Sequence, residues 1–354
     1  MKAMRALIAV ALVCAAAVSG GPATGAAISG EEPSVPTPVL GETDVKGQST
    51  NGGTVLVIGP PMAQDRDVLR GIADELSDQY TIVKREISAE TTAQGLSKLL
   101  SEVNPRLLVL LDNSTVHLYR AYQSAQAPGT SFLPAVVLMT AFMEQTAAGL
   151  HNVAGISYEI PAVTALVNLR SVLGRPLKRI GVLYRDGFGA FVAHQNQLAA
   201  VEGFSIVGRL LDEGNRRTAV KRGLRKLLDY DRVDAIWVLN DSSLVNSELL
   251  ARAWLPVLRH GHVPVLVGVP SLVSERLDFG TFAVVPEHRA LGAQAASLVE
   301  DIAENGWQVP LRHFLLPVAV EKILYVGLDR TRSSIREEKL HEVDRVIGGE
   351  RKEP

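Results

Sequence analysis

The sequence predicts an α/β protein with parallel sheets, divided into two lobes. Three observations lead there. From Thr54 onward apolar runs alternate with amphipathic stretches, and strand–helix alternation of this kind builds parallel sheets. Several runs, such as RLLVLLD (106–112) and PAVVLMT (134–140), are near-continuous Val and Leu, the composition of strands buried on both faces. The runs also number about ten, many for one doubly wound sheet, so two lobes of about five strands each are the simpler arrangement.

The chain opens with an address. Lys2 and Arg5 precede an apolar run of thirteen residues (6–18), followed by the small-residue stretch SGGPATGAA. That is the plan of a secretory signal, and the run is short of the roughly twenty residues a membrane-spanning helix needs. Residues 1–27 are expected to be a signal peptide, which puts the mature protein in the periplasm or otherwise outside the cytoplasm. Cys14 is the single cysteine, so no disulfide framework exists. Lipoprotein anchoring through Cys14 is the weaker alternative. A lipobox usually has Leu three places before its cysteine and a small residue just before it, and here Leu12 is two places before and Val13 adjoins it. Residues 28–53 are rich in Gly, Pro, Ser, Thr and Glu without apolar periodicity, and read as a flexible linker.

The expected strands are 54–59, 80–87, 106–112, 134–140, 153–158, 178–185, 204–211, 233–240, 264–269 and 281–286. Amphipathic helical stretches lie between them at 67–78, 93–103, 162–173, 218–229, 246–259 and 292–305. The first division between lobes is placed at His151–Asn152. In the charged end, 329–354, Ser334 and Glu337 form a capping box, and Ile335, Leu340, Val343 and Ile347 form a thin apolar stripe. That pattern predicts a surface helix with a frayed tail.

Composition excludes some functions. The 36 basic and 38 acidic residues leave a net charge of −2, with no basic field for nucleic acid. Aromatic residues are 5%, too few for a base-stacking surface. The turn after the first strand, Gly59-Pro60-Pro61, lacks the backbone N–H groups that cradle a phosphate. His260 and His262 are close, but no third ligand lies near them in sequence, so no metal is expected. No pairing of a nucleophile with a base stands out, and no enzyme activity or cofactor is expected.

The informative residues follow the strands, where open α/β sheets bind ligands. They are Asn113, Ser114 and Thr115, then Thr140, Tyr158, Tyr184, Arg185, Asp186, Asn240 and Asp241. These groups suit a small polar or amphipathic solute held by donors and acceptors. Each has a plainer role open to it. Ser114 or Thr115 can cap a helix, Asn240 and Asp241 can form a turn, the tyrosines can pack between lobes, and Arg185 and Asp186 can be a solvated pair.

Together these segments resemble the ABC-transporter substrate-binding proteins of the type I periplasmic-binding-protein fold, in particular the family that includes aromatic amino-acid binders. RPLKRIGVLYRDGFGAFV (175–192), RVDAIWVLNDSSLVN (232–246), HVPVLVGVPSLV (262–273) and HRALGAQAASLVEDIAENG (288–306) carry the resemblance, which covers about residues 54–328. Ser114 and Thr115 match the family's polar pair and Asp241 its strand-end aspartate. The sequence departs from the family at 149–155 and at Phe142-Met143-Glu144.

The resemblance implies two Rossmann-like lobes joined by a hinge and crossed three times by the chain. Lobe one would be 54–152 plus 283–307, and lobe two 153–282 plus 308–328. It also implies a monomer whose partners are a small-molecule solute, enclosed between the lobes, and the membrane subunits of an ABC permease. The alternative is a ligand-sensing or protein-interaction module of the same fold, not coupled to transport.

Overall fold

The computed structural model describes residues 42–45, 52–212, 214–309, 316–327 and 334–348. They form two compact units. The first contains the described residues up to Glu159 and His288–Val318. The second contains Ile160–Glu287 and the described residues from Ala319 on. The expected signal peptide, 1–27, lies outside the described residues, as does most of the expected linker.

The first unit is built on a sheet of β1 (Glu42–Val45), β2 (Thr54–Gly59), β3 (Thr81–Glu86), β4 (Leu107–Leu111), β5 (Ala135–Leu138), β6 (Val153–Ser157) and β12 (Leu316–Pro317). Their spatial order is β1-β3-β2-β4-β5-β6-β12. All pairings are parallel except β1 with β3. Every residue of β4 and β5 is buried, as their unbroken apolar runs demand. The fold therefore begins before Thr54, since β1 falls inside the stretch read as linker.

Helices cover this sheet. They are α1 (Asp65–Leu76), α2 (Ala93–Val103), α3 (Asp112–Ser124), the short α4 (Met143–Thr146) and α9 (His288–Glu304). The Thr92 hydroxyl accepts from Gly95 N at 3.2 Å and fixes the start of α2. Two glycines let α1 and α9 cross in backbone contact. A Cβ on Gly71 would sit 2.0 Å from Arg289 O, and one on Gly292 would sit 2.2 Å from Val68 O. Across the crossing, Arg289 Nη2 lies 2.6 Å from Asp74 Oδ2.

The second unit's sheet contains β7 (Arg179–Tyr184), β8 (Ser205–Leu210), β9 (Ala235–Trp237), β10 (Val265–Val267), β11 (Phe282–Pro286), β13 (Val320–Tyr325) and β14 (Arg345–Ile347). The order is β14-β13-β11-β10-β9-β7-β8, parallel except for β11 with β13. Helices α5 (Ala162–Val172), α6 (Gly189–Val201) and α7 (Arg216–Arg225) pack on it, with a further helical segment, α8, at 247–258. α7 runs on into a π-helical turn at Lys226–Tyr230, and α8 includes one at Leu250–Trp254. Trp254 anchors this core. Its ring meets Phe279 edge-on at 5.9 Å and its Nε1 donates to Leu244 O at 2.9 Å.

All ten expected strands are present, shortened by up to a few residues at their ends. The division between units differs from the sequence reading. The strand at 153–158 was expected to open lobe two, yet β6 pairs with β5 in the first sheet. The chain passes between units after Glu159, Glu287 and Val318. A strand completes its hydrogen-bond ladder before the chain leaves a sheet, so each crossing falls later than a composition break suggests.

The C-terminal segment also differs from expectation. In place of a surface helix, Glu337–Glu342 forms a short 3₁₀ turn and β14 adds a parallel edge strand beside β13. Ile335, Leu340 and Val343 pack against one core of the second unit and Ile347 against another. The stripe's spacing suggested a helix, whereas its residues are carried by a 3₁₀ turn, an edge strand and the extended chain around them.

Candidate functional site

Each sheet has a point where the winding reverses. β2 lies between β3 and β4, and β7 lies between β8 and β9. At such a point the connections leave in opposite directions, opening a crevice outside the carboxyl ends of the strands. In the second unit the residues at and beyond the carboxyl ends of β7 and β9 are Tyr184-Arg185-Asp186 and Asn240-Asp241. In the first they are the Pro60-Pro61 loop and Asp112–Thr115, with Thr140 one strand further on.

In the first unit α3 begins directly after β4, with Asp112 in the left-handed region at φ 78. Asp112 Oδ1 accepts from Ser114 N at 2.7 Å. Asn113 is half-buried and works as a clamp: its Nδ2 donates to Ala141 O at 3.1 Å and its Oδ1 accepts from Ala141 N at 2.8 Å. Ser114 is exposed. Thr115 is fully buried and its hydroxyl donates to Leu111 O at 2.7 Å, closing the strand–helix junction. Thr140 is also fully buried, with its hydroxyl directed to Leu138 O at 3.2 Å. Burial and bonding to backbone carbonyls give both threonines a structural role, where the strand-end position suggested ligand contact.

The loop clamped by Asn113 is strained. Met139 and Phe142 both hold left-handed backbone, at φ 55 and 51. Such conformations cost of order 1 kcal/mol or more each in non-glycine residues and gather at binding sites. Phe142 is 48% exposed, and its N–H donates to the Glu159 carboxylate. Tyr158 is half-buried, and its hydroxyl lies 2.9 Å from His288 Nε2. These two residues stand beside two of the chain's crossings, with Val318 N donating to Ser157 O at 3.2 Å beside the third.

In the second unit, Asp241 is 1% exposed and is held from two sides. Arg185 reaches it with Nε–Oδ2 at 2.6 Å and Nη2–Oδ1 at 3.0 Å, and Ser243 N donates to Oδ1 at 2.9 Å. The hydrogen bonds to Asp241 hold the Arg185 guanidinium pKa above its ordinary value. Arg185 also lies over the Phe188 ring at 5.6 Å. Its sequence neighbour Asp186 is exposed, so the ion pair that the sequence suggested for Arg185 forms with Asp241 instead. Asp241 itself is a buried anchor. Asn240 is exposed, with Nδ2 3.4 Å from Gly268 O. Tyr184 is half-buried and lies over Gly208, where a Cβ would meet its ring at 2.8 Å.

The sequence reading passed over one polar group near the first reversal point. Lys84 of β3 and Asp65 of α1 form a buried ion pair at 2.6 Å, with Glu86 at 3.6 Å from the same ammonium. Asp65 Oδ2 also accepts from Met62 N at 3.2 Å, while Oδ1 is buried without a hydrogen-bond partner. A run of three charges, Lys84-Arg85-Glu86, inside a strand was the available signal. Phe188, in the loop four residues beyond Tyr184, was also missed. Among the described residues, no group of three or more His, Cys, Asp or Glu could hold a metal ion, and no helix is long and apolar enough to cross a membrane.

Comparison with solved structures places the fold. A substrate binding protein with adhesive properties from Clostridium difficile, in its ligand-free, open structure, superposes with a TM-score of 0.65 at 13% identity. The match covers 84% of this chain and 100% of that one. A periplasmic ribose ABC transporter protein from Conexibacter woesei gives 0.51 at 15% identity, over 82% and 97% of the two chains. A conserved domain protein from Vibrio cholerae gives 0.53 at 16% identity, over 84% and 100%. No protein-family model matches the chain, and no curated protein matches it in sequence.

Proposed function

We infer a solute-binding role from the fold: the two-unit α/β architecture is the type I periplasmic-binding-protein fold, and its structural neighbours include ABC substrate-binding proteins. We propose that the chain is an extracytoplasmic solute-binding protein. It is exported by residues 1–27, captures a small polar or amphipathic solute, and presents it to the membrane subunits of an ABC permease. It acts by binding, without turnover, and as a monomer. The observation that supports this reading is the matched pair of reversal points, each followed by hydrogen-bonding side chains.

In this reading Asn113, Ser114 and Tyr158 of the first unit and Tyr184, Arg185, Asp186 and Asn240 of the second contact the solute. Asp241, Thr115 and Thr140 hold their neighbours in place.

The test is thermal unfolding of the chain against amino acids, sugars, nucleosides and organic acids. Binding to the folded state alone stabilises it by about 2.7 kcal/mol at a hundredfold excess over Kd. A midpoint shift from one chemical class, lost in Asn240→Ala with Ser114→Ala, is expected. No shift from any class overturns solute binding. A shift without any association with permease subunits favours the sensing or interaction module.

A further inference from the structure

The second unit carries a cationic groove at the end of its sheet opposite Tyr184 and Arg185. It has a volume of about 570 Å³ and is lined by residues 170 and 173–178, by Glu202 and Gly203, and by Arg336. Three chain segments build it. The C-terminus of α5 meets the residues leading into β7, and the segment around Ile335 straps across them. Leu173 and Ile335 form a β-bridge, and Arg336 N donates to Val172 O at 2.9 Å.

The charge in this groove is unbalanced. Arg170 is neutralised by Glu202 at 2.7 Å. Arg175, Lys178 and Arg336 have no carboxylate partner among the described residues. Arg175 donates only to backbone carbonyls, His262 O at 2.7 Å and Asp234 O at 3.1 Å. The Asp234 carboxylate is already occupied by the backbone N–H groups of Lys178 and Arg179, both at 2.8 Å. Arg336 donates to Arg170 O at 3.2 Å, which caps α5 and uses one of its guanidinium N–H groups. The Nε atoms of Arg175 and Arg336 are buried without an acceptor, a cost that positions their planar heads. Burial holds the Arg175 pKa below its ordinary value, against the pull of Asp234. Glu337 and Glu338 line an adjoining groove that shares Arg175 and Arg336.

We propose that this groove is a binding site for a phosphate-type oxyanion, separate from the solute site. Three cations that form no ion pair among the described residues, Arg175 under the partial influence of Asp234, favour an anion in the groove. The guanidinium N–H groups of Arg175 and Arg336 not already given to backbone carbonyls can donate to its oxygens, and Lys178 adds a point charge at the exposed rim. The oxyanion can belong to a free phosphate or to a lipid headgroup.

The experiment titrates the full chain with inorganic phosphate at low salt. In parallel it measures sedimentation with phosphatidylcholine vesicles, with and without phosphatidic acid. Saturable binding to phosphate is expected, weakened about tenfold or more in Lys178→Gln combined with Arg336→Gln, the loss of at least one charge-assisted hydrogen bond. Lys178→Gln alone disturbs no side-chain hydrogen bond and keeps the test valid if the double variant is unstable. Lys98→Gln, on the first unit's surface, leaves binding unchanged. Binding to the phosphatidic acid vesicles alone, lost in the same variants, assigns the oxyanion to a lipid. The proposal is overturned if neither probe binds saturably, or if Lys98→Gln weakens binding equally. Solute binding is measured separately in each variant, so its failure and the failure of this site are distinguished.

Discussion

Arg185, which follows β7, and Asp241, which follows β9, close the reversal point of the second sheet with a two-point ion pair, Nε–Oδ2 at 2.6 Å and Nη2–Oδ1 at 3.0 Å. The carboxylate is 1% exposed and the guanidinium 31%, so the pair faces solvent through the arginine alone. Removing one partner of a buried pair typically costs 3–5 kcal/mol, and the partial exposure of Arg185 reduces that. Asp241→Asn is expected to lower unfolding stability by about 2 kcal/mol, read from urea denaturation. Arg185→Lys should lose nearly as much, because an ammonium cannot make both bonds. A stability loss below roughly 0.5 kcal/mol for both variants would show that the pair does not anchor this junction.

Asn113 and Ser114 are adjacent, but their roles separate. Asn113→Ala removes the two bonds to Ala141 that clamp the strained loop at Met139–Phe142. A loss of about 2 kcal/mol is expected. Among the described residues the exposed Ser114 side chain makes no hydrogen bond, so Ser114→Ala should change stability by less than about 0.5 kcal/mol while lowering solute affinity. Equal stability losses in the two variants would contradict this division.

The crossing of α1 and α9 leaves no room at its centre. Gly292→Ala would place a methyl against Val68 O, where the gap is 2.2 Å. Overpacking of this kind costs about 1–3 kcal/mol, and Gly71→Ala should cost a similar amount. The two are not additive, since one helix shift relieves both. Comparing the thermal midpoints of the single and double variants checks this.

Lys84 and Asp65 are both buried, 2.6 Å apart. Asp65→Asn leaves an ammonium buried with Glu86 as its remaining carboxylate neighbour, and should destabilise by about 3–5 kcal/mol. Combining Lys84→Met with Asp65→Asn should recover part of that loss, because the buried charge is gone. Equal stability of the single and double variants would argue against the coupling.

Tyr119 is fully buried, donates to Leu133 O at 2.8 Å, and has its pKa pushed up to about 12, mainly by burial. The folded value lies above the ordinary 10 of the unfolded chain. Its contribution is therefore complete below pH 10 and is lost as pH rises through 12. Over that window stability should fall by up to about 3 kcal/mol more in the wild type than in Tyr119→Phe. Parallel pH slopes for the two proteins would contradict the shift.

The strands were legible because burial on both faces leaves a direct mark in composition, as in Leu107–Leu111 and Ala135–Leu138. Helices α3 and α6 were harder to see. The first starts with no residue between it and β4, and the second carries small and apolar residues around much of its surface. Strands β12 and β14 are two and three residues long, below what periodicity can register. Among the candidate site residues, exposed Ser114 and Asn240 sit where a strand-end argument puts them. Thr115, Thr140 and Asp241 share that position but are buried.

The sequence by itself determined the strand–helix alternation, the parallel pairing and the collection of polar residues at strand ends. Those follow from side-chain periodicity and local backbone preference, which act over a few residues. Tertiary structure decided which of the polar residues face outward, that Arg185 pairs with Asp241 across 56 residues of chain, and that the C-terminal stripe joins a sheet edge. These depend on which strands become neighbours, and that choice rests on burial summed over a whole unit, with no signature in any one segment.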